Sequence, residues 1–254
     1  MGLVASVSSC KGGSGKSTTS MNLGVALAKL GRDVTIIDAN LTTPYLSMYL
    51  GAPKVPVTLH SVLKGEAHIH DAIYHHESGA KIIPGSISMK DFENINLEDL
   101  KHHLPSIKSD IVILDGAPGL DREAQASMKI ADEVMIVTTP ELPSVAQSLK
   151  TIRFAQQHNK PITGIVLTRA GHDLDMKIRN IQTILEQPII GVIPEDPYVK
   201  RALIKREPVV YVFPRAPASQ AYHKLALYLT GHSSQVAENT GGVYRFMRWA
   251  FGMR

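Results

Sequence analysis

Residues 8–20 read SSCKGGSGKSTTS, and the run Gly12, Gly13, Ser14, Gly15, Lys16, Ser17 and Thr18 inside them is suited to holding phosphate. Glycines let successive backbone N–H groups wrap an anion, and a helix opening at the end of the run adds the positive end of its dipole. Lys16 can reach β- and γ-phosphates, and the Ser17 hydroxyl can ligate Mg2+. Against the pattern G-x-x-x-x-G-K-[ST], Cys10 stands at the first glycine position, so the loop is a deviant form. Two further residues could join it. Asp38 closes the apolar run VTIID and Asp115 closes IVILD, each placing a carboxylate at the end of such a run.

A scaffold must bring these points together, and short apolar runs alternating with amphipathic stretches supply one. Strands are predicted at Leu3–Ser8, Val34–Asp38, Lys81–Pro84, Ile111–Asp115, Glu133–Thr139, Ile162–Thr168 and Ile189–Ile193. They are β-branched and apolar on both faces, as strands of a covered parallel sheet are. Helices are predicted over Lys16–Leu30, Arg122–Ala131, Leu142–His158, Asp175–Glu186 and Ala218–Leu229. The alternation implies an α/β fold, a doubly wound, mostly parallel sheet flanked by helices, with ligands at the carboxyl ends of the strands.

The 254 residues carry a net charge of +4, and residues 232–254 hold three arginines against one glutamate, half of that excess. The remainder is close to neutral and does not call for nucleic acid. A single cysteine, Cys10, excludes disulfides within the chain and cysteine-rich metal clusters, and fits a reducing cytoplasm. No run approaches the roughly 20 apolar residues that span a bilayer. The N-terminal MGLVAS and VSSC, which resemble lipidation patterns, read better as a buried first strand. Of the eleven histidines, His68, His70, His75, His76, His102 and His103 lie close together in sequence but lack acidic or cysteine partners nearby. They are expected on the solvated surface.

Residues 1–231 are thus expected to form one domain and 232–242 a polar, small-residue linker. On a helix over 243–254, Arg245 and Arg248 share one arc, while Val243, Phe246, Met247 and Phe251 cover the opposite side and Tyr244 and Trp249 sit at the boundaries. That is the pattern of a helix lying in a membrane interface against anionic lipid. A helix of about 12 residues is marginal in water, so a single tail would bind weakly and reversibly. Two tails on one dimer gain avidity, typically about 10²–10⁴ beyond either alone.

The loop K-G-G-S-G-K-S from Lys11 to Ser17, with LDGAPGLDREAQASMKIADEVMIVTTPELPSVAQSLKTIR, GVIPEDPYVKRA and APASQAYHKLA, resembles the deviant Walker A ATPases of the MinD/ParA family, in particular archaeal MinD-type ATPases. The resemblance covers most of the chain. It implies a P-loop NTPase that binds ATP and Mg2+ and forms an ATP-sandwich homodimer, with Lys11 reaching the partner's nucleotide as an arginine-finger equivalent. It makes Asp115 the Walker B aspartate, followed by a second switch at Gly116–Gly119. Asp38 becomes the first acidic residue of a D-x-D first switch. Asn40 falls where relatives carry the second carboxylate; asparagine can orient water but cannot accept a proton, so slow hydrolysis is expected. Thr168, Arg169, Pro194, Glu195 and Asp196 resemble the residues around the adenine. The role implied is spatial organisation from the cytoplasmic side of the membrane, with a cargo or activating protein as partner. Two alternatives stay open, a nucleotide-switched scaffold that hydrolyses little and a DNA-partitioning ATPase.

Overall fold

The computed structural model describes residues 2–51, 55–91, 95–172 and 175–232. Among them, eight strands form one sheet: β1 (Leu3–Ser9), β2 (Val34–Ala39), β3 (Tyr74–His75), β4 (Lys81–Ile83), β5 (Ile111–Pro118), β6 (Glu133–Thr138), β7 (Ile162–Ala170) and β8 (Ile189–Pro194). Their order is β3-β4-β2-β5-β1-β6-β7-β8, parallel except that β3 runs against β4. The helices are α1 (Lys16–Lys29), α2 (Leu59–Leu63), α3 (Leu100–His103), α4 (Arg122–Ile130), α5 (Leu142–Gln157), α6 (Ile178–Leu185), α7 (Pro197–Ile204), α8 (Val209–Val212) and α9 (Pro217–Leu229).

Strand alternation divides the core between the two faces of the sheet. Leu3, Val7, Val34, Ile36, Ile111 and Ile113 pack beneath Met21 and Val25 of α1 and Tyr222 of α9. The intervening Val4, Ile37, Val112 and Leu114 pack against Leu59, Leu100 and Ala126 on the other face. A third cluster joins Val134, Ile136 and Ile165 to Val145, Ile152 and Ile181 of α5 and α6. Doubly covered strands must be apolar on both sides, which is why they were legible as continuous apolar runs. From β1 the chain crosses to β2 on one side, and from its neighbour β5 it crosses to β6 on the other, so the loop after β1 opens at a topological switch point.

All seven expected strands form. β3 is an addition, a two-residue antiparallel edge. β5 runs past Asp115 to Pro118, and α7 occupies a stretch for which no element was predicted. His76 departs from its expected solvated position. It is buried, with Nε2 3.0 Å from Glu207 Oε2, Nδ1 2.8 Å from Ser78 Oγ, and its ring edge-on to Tyr211. The turn after β3 folds back onto the α7–α8 connection, which sequence spacing could not show. Residues 233–254, which include the expected membrane-facing Val243 to Phe251, lie outside the described residues.

Candidate nucleotide site

β1 delivers Ser9 to the switch point, and the chain then turns through Gly13 and Gly15, both at positive φ (79° and 83°), into α1. At Gly12 and Gly13 an added Cβ would meet nothing within 4 Å. The glycine at 13 therefore serves backbone shape, and the space beside this backbone stays open to a ligand. Thr168, at the end of β7, fastens the loop by donating its hydroxyl to Ser14 O at 2.5 Å.

Beneath the loop lies a buried charge cluster. Lys16 Nζ pairs with Asp115 Oδ1 at 2.7 Å, and Ser20 Oγ donates to the same oxygen at 3.0 Å. Asp38 and Asp115 are register partners on neighbouring β2 and β5, both on the face that α1 covers. Asp38 Oδ2 accepts from the backbone N–H of Tyr45 (2.7 Å) and of Leu46 (2.8 Å). Burial, then the charge of Asp115, pushes the Asp38 carboxyl up to about 7, against the pull of those two N–H groups and of Lys16. Two buried polar atoms here have no hydrogen-bond partner among the described residues, Asp115 Oδ2 and Ser14 Oγ. Buried polar groups are almost always satisfied, so these two and the open glycine backbone fit a bound, phosphate-bearing group with a cation.

Two cavities meet over the loop. One, of about 390 Å³, is lined by Lys11, Ser14, Lys16, Ser17, Asn40 and Pro118 among others. The second, of about 240 Å³, is lined by Thr168, Arg169, Pro194, Glu195, Asp196 and the apolar Ile193, Val199, Leu203 and Tyr222. Gly13, Gly15 and Thr18 border both. A chamber lined by loop backbone, hydroxyls and two lysines thus joins, across the phosphate loop, one that carries larger apolar side chains, an arrangement that suits phosphates on one side and a base on the other.

Lys11 is exposed at the mouth of the first chamber, without a side-chain ion pair among the described residues. Asn40 turns its amide onto Thr43, Nδ2 donating to Thr43 O (2.7 Å) and the Thr43 N–H donating to Oδ1 (3.3 Å). In the second chamber Arg169, at φ 54°, pairs with Glu195 at 2.9 Å. Asp196 caps α7 through Tyr198 N and also accepts from Ala218 N. Asp38 and Asp115 sit beneath the chambers rather than in their walls. Ser20, Thr43, Tyr45, Val199, Leu203 and Tyr222 also belong to the site; Ser20 closes the run 8–20, and Val199 and Tyr222 lie inside stretches that carry the resemblance, but neither their types nor their spacing gave them a role there. No group of three or more His, Cys, Asp or Glu comes together as a metal site among the described residues. None of their helices is long and apolar enough to cross a membrane.

The AAA_31 family, described as an AAA domain, matches residues 2–164. The chain is 35% identical to the ATP-binding protein MJ0547 of Methanocaldococcus jannaschii over 260 residues, covering 100% of this chain and 98% of that one. The cell division ATPase MinD of Pyrococcus furiosus is similar at a TM-score of 0.87 and 33% identity, over 92% of this chain and all of that one. MinD of Pyrococcus horikoshii, solved with Mg-ADP, gives 0.87 and 32%, over 94% and 100%. With the deviant phosphate loop at the switch point and these likenesses over nearly its whole described length, the chain belongs to the MinD/ParA family of P-loop ATPases.

Proposed function

We propose that this chain is a MinD-type positioning ATPase, which binds Mg-ATP, pairs with a second copy over the phosphate loop, and attaches reversibly to anionic membrane through residues 243–254. The observation that carries the nucleotide part of this reading is the pair of chambers meeting at Gly13, Gly15 and Thr18 above Lys16 and Asp115. Bound ATP would supply the phosphoryl group, and Mg2+ the positive charge that offsets its negative oxygens. The backbone of residues 12–17 and the Lys16 ammonium would hold phosphate, and the Ser17 hydroxyl, with Asp115 and Asp38 behind it, would hold the cation. Thr168, Arg169, Pro194, Glu195 and Asp196 border the base. Lys11, exposed at the chamber mouth, is free to reach a partner copy. Asn40 orients water without accepting its proton, and its amide is already engaged by Thr43, so the cycle is slow and the ATP-bound dimer long-lived.

Membrane attachment then follows nucleotide state, from the cytoplasmic side, and a cargo or activating protein reads the attached form. Vesicle cosedimentation tests this. With acidic vesicles and ATP the full chain should pellet, and with ADP, or after removal of residues 242–254, it should stay in the supernatant. Equal pelleting with ADP would end the membrane reading.

A further inference from the structure

Between β2 and α2 the chain runs through residues 40–46, which open on Asn40 of the first switch, and three consecutive residues there are pinned in three different ways. Leu41 O accepts from His60 Nε2 of α2 at 3.2 Å. Thr43 closes onto Asn40. Thr42, between them, gives both its donors to one side chain: its N–H to Glu123 Oε2 (3.2 Å) and its hydroxyl to Glu123 Oε1 (2.5 Å).

Glu123 is well placed to be a fixed point. It lies in the first turn of α4, where a carboxylate is favoured by the helix dipole. Asp121 caps that helix by accepting from Ala124 N at 2.9 Å, and Ala124, Ala126, Ser127 and Met128 bury its inner face. The segment just before α4 is in turn tied to the phosphate loop, Gly119 N donating to Ser9 O at 2.8 Å. The contacts form a continuous chain. From Ser9 it passes through Gly119 to α4, from Glu123 to Thr42, and from Thr43 to Asn40, which faces the same chamber as Lys11.

We propose that Glu123 is a positioning residue for the nucleotide site: by taking both donors of Thr42 it holds the loop that carries Asn40, and it couples the first switch to the helix that follows the second. This rests on the ATPase reading for what Asn40 does, though not for how Asn40 is held. Thr42 is exposed and Glu123 only half-buried, so the clamp adds little to global stability. Its effect is on where the loop stands. Breaking it leaves Asn40 with the Thr43 turn, its own N–H on Asp38 Oδ1 (3.4 Å) and the His60 contact at Leu41, on a segment no longer fixed to α4. Nucleotide affinity, set by residues 12–17, is untouched, while placement of Asn40 suffers.

The test uses the full chain with Glu123→Ala, Thr42→Val, which keeps shape and N–H but loses the hydroxyl, and Thr42→Ser, which keeps both donors. Amide hydrogen exchange is followed without nucleotide, and ATP turnover is measured separately. In Glu123→Ala, the Thr42 and Thr43 amides should exchange about tenfold faster, while Tyr45 and Leu46, held by Asp38, do not change. Turnover in Glu123→Ala and Thr42→Val should fall about tenfold, with KM for ATP within about twofold of wild type and Thr42→Ser unaffected. Unchanged Thr43 exchange overturns the clamp, and so does a rise in KM that accounts for the lost activity. If the wild type does not hydrolyse ATP, the ATPase reading fails on its own, and the exchange measurement still decides the clamp.

Discussion

His60 holds the residues after β2 from the buried side, next to the Thr42 contact with Glu123. The Ser86 N–H donates to its Nδ1 at 3.0 Å, so the ring proton sits on Nε2 and is given to Leu41 O. A neutral ring satisfies both partners; a charged one would turn Nδ1 into a donor facing another donor. Burial accordingly lowers the His60 pKa from its ordinary 6.5. The unfolded chain therefore takes up this proton at a higher pH than the folded one. Its contribution to stability is complete above about pH 6.5 and is lost as pH falls below that. Wild type should lose more melting temperature between pH 7.5 and 5.5 than His60→Gln, which has no proton to gain. Calorimetry at the two pH values checks this; parallel losses would mean that the ring is not held neutral. None of this was legible in the sequence, because the partners of His60 are 19 and 26 residues away and carry no pattern. The phosphate loop was legible because all its donors are consecutive. The meeting of Asp38 with Asp115 needed the register of β2 on β5, which apolar runs predict as neighbours at best.

Elements were easiest to read where one run of sequence makes one strand. β1, β2 and β5 are covered on both faces; β2 and β5 open on the β-branched runs VTII and IVI, while β1, LVASVSS, mixes apolar and small residues that are all buried. β3 is two residues long and too short for any periodicity to register. α7 did carry signals, Asp196 at the cap and Pro197 at the first turn, but Asp196 was read only for its resemblance to a residue beside the adenine. The close packing of β7 on the approach to β8 depends on a single missing side chain. Gly164 has φ 149°, and a Cβ there would lie 2.5 Å from Ile190 Cγ2 and 3.0 Å from Pro188 O. Neither can move cheaply, since Pro188 O accepts from Ile165 N at 2.8 Å and Ile190 is fully buried. Gly164→Ala should cost about 1–3 kcal/mol by overpacking, seen as a melting temperature lower by several degrees. An unchanged melting curve would show that the two strands approach less closely than this.

For the whole molecule, the proposal turns on Lys11 acting on a nucleotide that its own chain does not hold. Two lysines flank the phosphate loop and are bound differently. Lys16 is buried and fixed on Asp115, whereas Lys11 stands exposed at the rim of the 390 Å³ chamber. A lysine spent inside its own site would be expected to find an acceptor there, as Lys16 does. Lys11→Ala should therefore leave ATP binding by the monomer within a few-fold, because the loop backbone and Lys16 are intact. Pairing should fail, because each site would lose the charge contributed by the other copy. Sedimentation velocity with ATP should show a dimer for wild type and a monomer for the variant, and turnover should fall by about 10²-fold or more, the scale of losing a charge placed for the transition state. On the proposed attachment through two weak tails, the same variant should also lose acidic vesicles by about 10²–10⁴ in apparent affinity although its tail is unaltered. A Lys11→Ala chain that stays monomeric and still coats vesicles as wild type does would separate attachment from pairing, and one that dimerises normally would remove Lys11 from the interface altogether.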